Sequence, residues 1–379
     1  MNFNFSDEQQ MLRDMLASFL RDRFPFEARR AQLQTTAPSP IWASFAAELF
    51  TLGISLPEDV GGLGGGATEN MIVMEELGKV LSVEPWLSTI VMSGALLRDG
   101  GAKAQEALSG VVAGTAIVVP AIDYFPGSYG RNGTGIVVSR VEGGYRLSGT
   151  ASLVRDAARA THFVFAGADA NDELSIFLVD ADAVGLVVNG YELVDGLQCA
   201  DIHLADVEIQ ESALVARGND AAERMAEAFD AGVAGLCAEA LGILRMLLHW
   251  TVEYAKQRQQ FGRPIGDFQA LQHRMSRMFI KVEEAASMTY LSAAHLADTP
   301  EKRAKITSAA KVIVDQSGRF IGQQAVQIHG GMGMSKELPI ADYFSRLTVI
   351  AHQLGSTDFH LGRYEAHSFA KAEGVLAAA

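Results

Sequence analysis

Over the first 115 residues the apolar positions recur at helical spacing. Leu12, Met15, Leu16, Phe19 and Leu20 fall within one run of period near 3.6. Ser6-Asp7-Glu8-Gln9 precedes them and has the form of a capping box, with Ser6 as N-cap and Gln9 three residues on. Pro25 ends or bends that run. The pattern predicts a second helix over residues 41–52 and a third over 68–80. Between them, Gly61-Gly62-Leu63-Gly64-Gly65-Gly66 invites a phosphate-loop reading. No strand pattern precedes it and no Lys-Ser/Thr follows, so a flexible turn between helices is the better reading.

The period changes at about residue 116. Ile136-Val137-Val138, Tyr145-Arg146-Leu147, Phe163-Val164-Phe165, Ile176-Phe177-Leu178-Val179 and Ile202-His203-Leu204 are short β-prone runs separated by turn residues. They predict a small antiparallel β domain, a barrel or a sandwich. From about 216 the helical period returns. Leu236, Ala240, Ile243, Leu244, Leu247, Leu248 and Thr251 form an apolar stripe, and further helices fit 268–297, 301–328 and 341–370. The expectation is an α+β multidomain chain: a helical domain over 1–115, a β domain over 116–215 and a C-terminal four-helix bundle over 216–379.

Composition fits that picture. At 379 residues, two or three domains are expected. Hydrophobic residues at 49% against 20% charged residues give ample material for a core. The formal net charge of −14 argues against nucleic acid or an anionic membrane as partner. It does not argue against a phosphorylated small ligand held by local donors. Two cysteines, Cys199 and Cys237, make no disulfide framework. MNFNFSDEQQ is unlike a signal peptide, EGVLAAA carries no targeting tripeptide, and no unbroken apolar run reaches 18 residues. A soluble cytoplasmic protein is the expectation. His329, His352 and His360 read as satisfied helical histidines, because no metal-ligand spacing surrounds them.

Two stretches carry candidate chemistry. In Tyr254-Ala255-Lys256-Gln257-Arg258-Gln259-Gln260-Phe261-Gly262-Arg263-Pro264, a helix ends in a cation, turns at glycine and restarts at Phe268-Gln269. Arg258 is either a partner for the helix dipole or a planar donor fork for a pyrophosphate. In Ala325-Val326-Gln327-Ile328-His329-Gly330-Gly331-Met332-Gly333, another helix ends in glycines. These are either a helix C-cap or a close backbone approach to a ligand.

Together, and in this order, these stretches resemble the signatures of the acyl-CoA dehydrogenase family. Arg258 to Gln269 is similar to Arg-x-x-Phe-Gly-x-Pro-Ile-x-x-Phe-Gln, and Ala325 to Gly333 to Gln-x-x-Gly-Gly-x-Gly. Pro57-Glu58-Asp59-Val60-Gly61-Gly62-Leu63-Gly64 resembles the family's N-terminal loop. The resemblance covers nearly the whole chain. It implies a helical, a β and a four-helix domain, and FAD held across a subunit interface. It implies FAD contacts by Arg258, Gln260, Phe261 and Gln269, and by Gln327, Gly330 and Gly331. The implied activity is α,β-dehydrogenation of an acyl-CoA thioester: a glutamate takes the α-proton while the β-hydride passes to the flavin. The base has to be a carboxylate beside a weakly acidic C–H.

The resemblance fails where that base belongs. The family's Glu-Gly-Thr segment matches Leu354-Gly355-Ser356-Thr357-Asp358, and Leu354 cannot take a proton. Gly355, Ser356 and Asp358 remain implied flavin contacts. Members with the glutamate on the first C-terminal helix would place it at Gly232; Asp230 and Glu239 are the nearest carboxylates. Asp230 lies two residues away, roughly 200° around the helix, and Glu239 is seven on, about 10 Å along it. In the β domain, Val119-Pro120-Ala121-Ile122-Asp123 and Gly127-Ser128-Tyr129 stand for a Thr-Glu-Pro and Gly-Ser-Asp pattern. Leu153-Val154-Arg155-Asp156 replaces a Trp/Ile-Thr flavin contact.

A partner chain able to supply the missing half resolves this asymmetry. Met71 to Gly78, Leu81 to Leu87 and Leu236 to Gly242 resemble the small subunits of heteromeric members such as pimeloyl-CoA dehydrogenase. The resemblance implies an α2β2 assembly with a large subunit, an acyl-CoA substrate and an electron-transfer-flavoprotein-type acceptor. Similar enzymes act on dicarboxylyl- and steroid side-chain acyl-CoAs. Two alternatives stay open: a self-sufficient homo-oligomer with a relocated carboxylate, and a catalytically silent structural or binding member.

Overall fold

The computed structural model describes residues 5–35, 39–122, 135–335 and 337–376, with side chains as far as 368. Helix α1 (Asp7–Arg23) opens with the expected capping box. The Gln9 N–H donates to Ser6 Oγ at 3.2 Å, and the Ser6 N–H donates to Gln9 Oε1 at 3.1 Å. Leu12, Leu16 and Leu20 are buried, whereas Met15 stays exposed. After Pro25 a short α2 (Phe26–Leu33) follows. Helix α3 (Pro40–Ala47) is shorter than the 41–52 expected. Phe50 turns left-handed at φ 53°, and the Thr51 N–H donates to the Phe45 carbonyl at 2.9 Å. That bond reaches six residues back and closes the helix end, with no glycine to announce the left-handed turn. Helix α4 (Ala67–Lys79) agrees with expectation. A π-helical stretch (Leu87–Ser93) then runs into α5 (Gly94–Leu97), and α6 (Ala102–Val112) follows.

All five expected β runs form strands, and three more join them. The strands are β1 (Val118–Pro120), β2 (Ile136–Val141), β3 (Gly144–Arg155), β4 (His162–Ala168), β5 (Leu174–Asp180), β6 (Leu186–Glu192), β7 (Gln198–Gln210) and β8 (Leu214–Arg217). The order is β6-β7-β3-β2-β4-β5-β8, with β1 also on β4. Most pairs are antiparallel, as expected. β1 lies parallel to β4, and β2 meets β4 in parallel at one residue pair, Val137 with Ala168. The sheet is therefore two four-stranded halves joined at a narrow seam. Phe163, Val164 and Phe165 on β4 and Ile176, Phe177 and Leu178 on β5 are all fully buried. Such unbroken apolar runs fit strands covered on both faces.

The C-terminal helices are α7 (Asn219–Gln257), α8 (Gln269–Ala294), α9 (Pro300–His329), α10 (Ile340–Ile350) and α11 (Thr357–Leu376). One helix was expected over 341–370 and two are present. The break falls at Leu354 and Gly355, with φ of 54° and 101°. Helices α8, α10 and α11 all pack on α9. By its length and composition, α7 could cross a bilayer, but most of that stretch is buried in the protein.

The chain divides into two compact units. One gathers residues 1–27, 71–82 and 233–379; the other gathers 28–70 and 83–232.

Candidate active site

Helix α7 ends at Gln257, and the Arg258 N–H donates to the Tyr254 carbonyl at 2.8 Å. The chain then makes a two-residue hairpin between β9 (Gln259–Gln260) and β10 (Arg263–Pro264). Phe261 and Gly262 at its tip have φ of 55° and 79°. Two successive positive φ values suit the twist of a tight hairpin, but an aromatic residue rarely accepts one. Phe261 is 91% exposed, with its ring edge-on to Phe268 at 6.0 Å between centroids. The Ile265 N–H donates to the Arg258 carbonyl at 2.8 Å and closes the turn. Arg263 stacks over the Phe268 ring at 4.2 Å. Arg258, Gln260 and Gln269 are exposed. Among the described residues the Arg258 guanidinium has no hydrogen-bond or ion-pair partner.

Helix α9 ends at His329. Gly330 has φ of 62°, so glycine is favoured there for backbone reasons. Gly331 has no such need, and a Cβ on either glycine would meet nothing within 4 Å. Gln327 is exposed beside them. The two stretches are neighbours: the Tyr254 and His329 rings stack at 4.4 Å and 29°. An unpartnered guanidinium, exposed amides and an open glycine backbone thus share one end of the helical unit. That donor set suits a pyrophosphate and the dinucleotide carrying it.

The third stretch lies elsewhere. Lys311, fully buried on α9, donates from Nζ to both Asp315 oxygens at 2.9 and 2.7 Å, and to the Ile350 and Gly355 carbonyls at 2.9 and 3.4 Å. His360 takes the carbonyl between: its Nε2–H donates to Leu354 O at 2.8 Å. Its Nδ1 lies 3.2 Å from Ser308 Oγ, to which Arg363 Nη1 donates at 3.3 Å. The donor order is consistent if the Ser308 hydroxyl donates to Nδ1, which makes His360 the neutral Nε2–H tautomer. Lys311 and His360 together fix the turn at Leu354-Gly355. Gly355 is buried, and a Cβ there would lie 2.4 Å from Phe359 Cδ1. Ser356 Oγ accepts the Phe359 N–H at 3.3 Å as a cap for α11. Gly355 and Ser356 therefore have structural roles of their own, and Asp358 is exposed. Lys311 and Gly330 are 19 residues apart on α9, about 28 Å of helix. The structure brings Arg258, Gln260, Phe261 and Gln269 together with Gln327, Gly330 and Gly331, and leaves Leu354, Gly355, Ser356 and Asp358 well away.

Both carboxylates named as bases are buried, Asp230 at 1% and Glu239 at 8% exposure. Glu239 is held in a bidentate pair, with Arg346 Nε donating to Oε1 at 2.5 Å and Nη2 to Oε2 at 2.7 Å. Both oxygens are occupied by Arg346. In the β-bearing unit, Leu153 sits on a bulge at φ 55° and is 45% exposed. Its N–H donates to Asp201 Oδ1 at 3.1 Å, and Ser88 on the π-helical stretch donates to Asp156 Oδ2 at 2.5 Å. Asp123, Gly127, Ser128 and Tyr129 fall outside the described residues.

Sequence reasoning missed the Lys311–Asp315 pair, although a lysine inside the apolar run Ala309-Ala310-Lys311-Val312-Ile313-Val314 was a visible signal. It also missed the π-helical stretch, which no composition rule marks. Glu84 next to it is buried, and burial holds its carboxyl above the usual range. Among the described residues no cluster of three or more His, Cys, Asp or Glu could hold a metal ion.

Family models match the chain on both sides of the sheet: the acyl-CoA dehydrogenase N-terminal domain over residues 6–115 and the C-terminal domain over 217–367. The chain belongs to the acyl-CoA dehydrogenase family. Its fold and family are those of an FAD-dependent acyl-CoA dehydrogenase. Acyl-CoA dehydrogenase IpdE2 of Mycolicibacterium smegmatis is 27% identical over 367 residues, covering 96% of this chain and all of that one. Among solved structures, the ChsE4-ChsE5 complex from Mycobacterium tuberculosis superposes with a TM-score of 0.86 at 26% identity, over 96% of this chain and 97% of that one. A steroid acyl-CoA dehydrogenase, Tcur3481-Tcur3483, gives 0.85 at 28% identity over 98% and 99%.

Proposed function

We propose that this chain is the subunit of a heteromeric acyl-CoA dehydrogenase that binds FAD and lacks the proton-abstracting base. The observation that carries the reading is the turn at Leu354. Its backbone is fixed by Lys311 and His360, yet the side chain offered where the family places its glutamate is a leucine. The bidentate bond of Glu239 to Arg346 removes one substitute. FAD, when bound, supplies the two-electron acceptor for α,β-dehydrogenation of the thioester. Arg258 would hold the pyrophosphate as a bidentate fork, and the open backbone at Gly330 and Gly331 would admit it closely. Gln260, Gln269 and Gln327 would bond the adenosine half, and Phe261 would be covered by the cofactor or the partner. A large subunit would bring the carboxylate and the remaining flavin contacts, and an electron-transfer-flavoprotein-type acceptor would reoxidise the assembly. The similar ChsE4-ChsE5 complex supports the heteromeric form.

The test is flavin content, native mass and acyl-CoA oxidation, with the chain purified alone and then co-expressed with a candidate large subunit. The expected result is little FAD and no turnover alone, with both restored in the complex. One FAD per chain and normal turnover in a homo-oligomer would overturn it. The second reading, a relocated base, then rests on buried Asp230, and Asp230→Asn would have to abolish that turnover.

A further inference from the structure

The two cofactor stretches are joined through one contact that their motifs do not explain. His329 is the last residue of α9, immediately before Gly330, and is 3% exposed. Its Nδ1–H donates to the Ala325 carbonyl at 2.8 Å, one turn back on its own helix. The backbone of Trp250 on α7 also acts on the ring, favouring its charged form against the effect of burial. Four residues on, Tyr254 lies flat against the imidazole at 4.4 Å, and its hydroxyl donates to the His329 carbonyl at 3.5 Å. The Tyr254 carbonyl in turn accepts the N–H of Arg258 at 2.8 Å. A continuous set of contacts therefore runs from the Gly330-Gly331 backbone, through His329 and Tyr254, to the residue carrying the guanidinium.

Helix ends fray, because their last carbonyls have no partner within the helix. Here two helix ends have to present donors to one ligand, and each donor sits just past its end. Arg258 and the hairpin behind it are exposed. The glycines at Gly330 and Gly331 have open space around them. Neither feature sets the distance between them. The stacked pair does, since it fixes the last turn of α7 on the last turn of α9. A donor set is only as well placed as the side chains supporting it.

We propose that Tyr254 and His329 are positioning residues for the dinucleotide, setting the separation of Arg258 from the Gly330-Gly331 backbone so that one pyrophosphate meets both. This rests on the reading of that surface as the FAD pyrophosphate and adenosine site. The stack is the essential part; the 3.5 Å hydroxyl contact is secondary. Tyr254 is half-buried, so its substitution changes the stack without opening the core.

The experiment measures dissociation constants for FAD and for ADP in the full-chain native assembly, along with the thermal midpoint of each variant. ADP carries the pyrophosphate and adenosine without the flavin ring, so it reports this half of the site alone. Tyr254→Leu and His329→Leu are expected to weaken both ligands by about tenfold or more. Tyr254→Phe, which keeps the stack, is expected to bind both as the parent does. Arg258→Gln serves as the direct-contact control. If the parent assembly binds neither ligand, the reading of the site fails and the inference with it. If Arg258→Gln weakens binding while Tyr254→Leu does not, the site stands and the positioning role is overturned. Equal losses in Tyr254→Phe and Tyr254→Leu would also overturn it. So would weakened binding that merely tracks a lowered thermal midpoint.

Discussion

Gly78 on α4 and Gly242 on α7 mark a helix crossing that admits no side chain. A Cβ on Gly78 would lie 2.1 Å from the Glu239 carbonyl oxygen, and one on Gly242 would lie 2.1 Å from the Glu75 carbonyl oxygen. Each glycine is pressed against the backbone of the opposite helix, which cannot yield as a side chain could. Gly242→Ala is therefore expected to cost about 1–3 kcal/mol as an overpacked contact. A denaturation midpoint within error of the parent would contradict the crossing.

Helix α7 also carries a charge pair, with α10. Glu239 and Arg346 are both buried and bonded in bidentate fashion. Removing one member leaves the other charge buried, so Glu239→Gln is expected to destabilise by about 3–5 kcal/mol. A catalytic role would instead lower turnover and leave stability unchanged. Measuring both on one variant separates the two, and full stability with lost activity would return Glu239 to candidacy.

Arg258 is exposed and unpartnered among the described residues, so its loss should leave the fold intact. Arg258→Gln is expected to keep the parent's thermal midpoint. It should weaken FAD by about 10- to 100-fold, the value of one charge-assisted contact to a phosphate. Unchanged flavin retention on gel filtration would argue that the pyrophosphate lies elsewhere.

His329 gives a pH dependence with a definite sign. Burial holds its imidazole below the ordinary value of 6.5. The unfolded chain then binds this proton more readily than the folded one. The stabilising contribution is complete above pH 6.5 and is lost as pH falls from there toward the depressed folded value. The parent should lose stability on acidification below about pH 6.5 more steeply than His329→Gln. Parallel slopes in a pH series of urea midpoints would show that His329 does not titrate in this way.

Much of the architecture is legible from local pattern. The capping box at Ser6 and Gln9 formed as written, and every expected β run became a strand. The failures share a cause, which is that the deciding partner is distant in sequence. Helix α3 stops early through a left-handed Phe50, a residue no rule marks as a terminator. The break at Leu354-Gly355 depends on Lys311, some forty residues earlier, and on the crowding of Gly355 by Phe359. The parallel pairing of β1 depends on β4, across forty residues. The candidate site shows the same division. Arg258 and the glycines were readable because their motif is contiguous, whereas the stack of Tyr254 on His329 spans 75 residues and only the fold brings the rings together.

The helical unit is assembled from residues 1–27, 71–82 and 233–379, and this order has a consequence for synthesis. Residues 1–27 and 71–82 leave the ribosome long before the stretch beginning at 233 that completes their unit. At typical elongation rates the roughly 150 intervening residues take about 8–30 s to add. Throughout that interval the apolar faces of α1 and α4, with Leu12, Leu16, Leu20, Ile72, Val73 and Leu77, lack most of their final neighbours. The other unit, ending at residue 232, is free to close first. Nascent chains arrested before residue 233 are the ones expected to recruit chaperones.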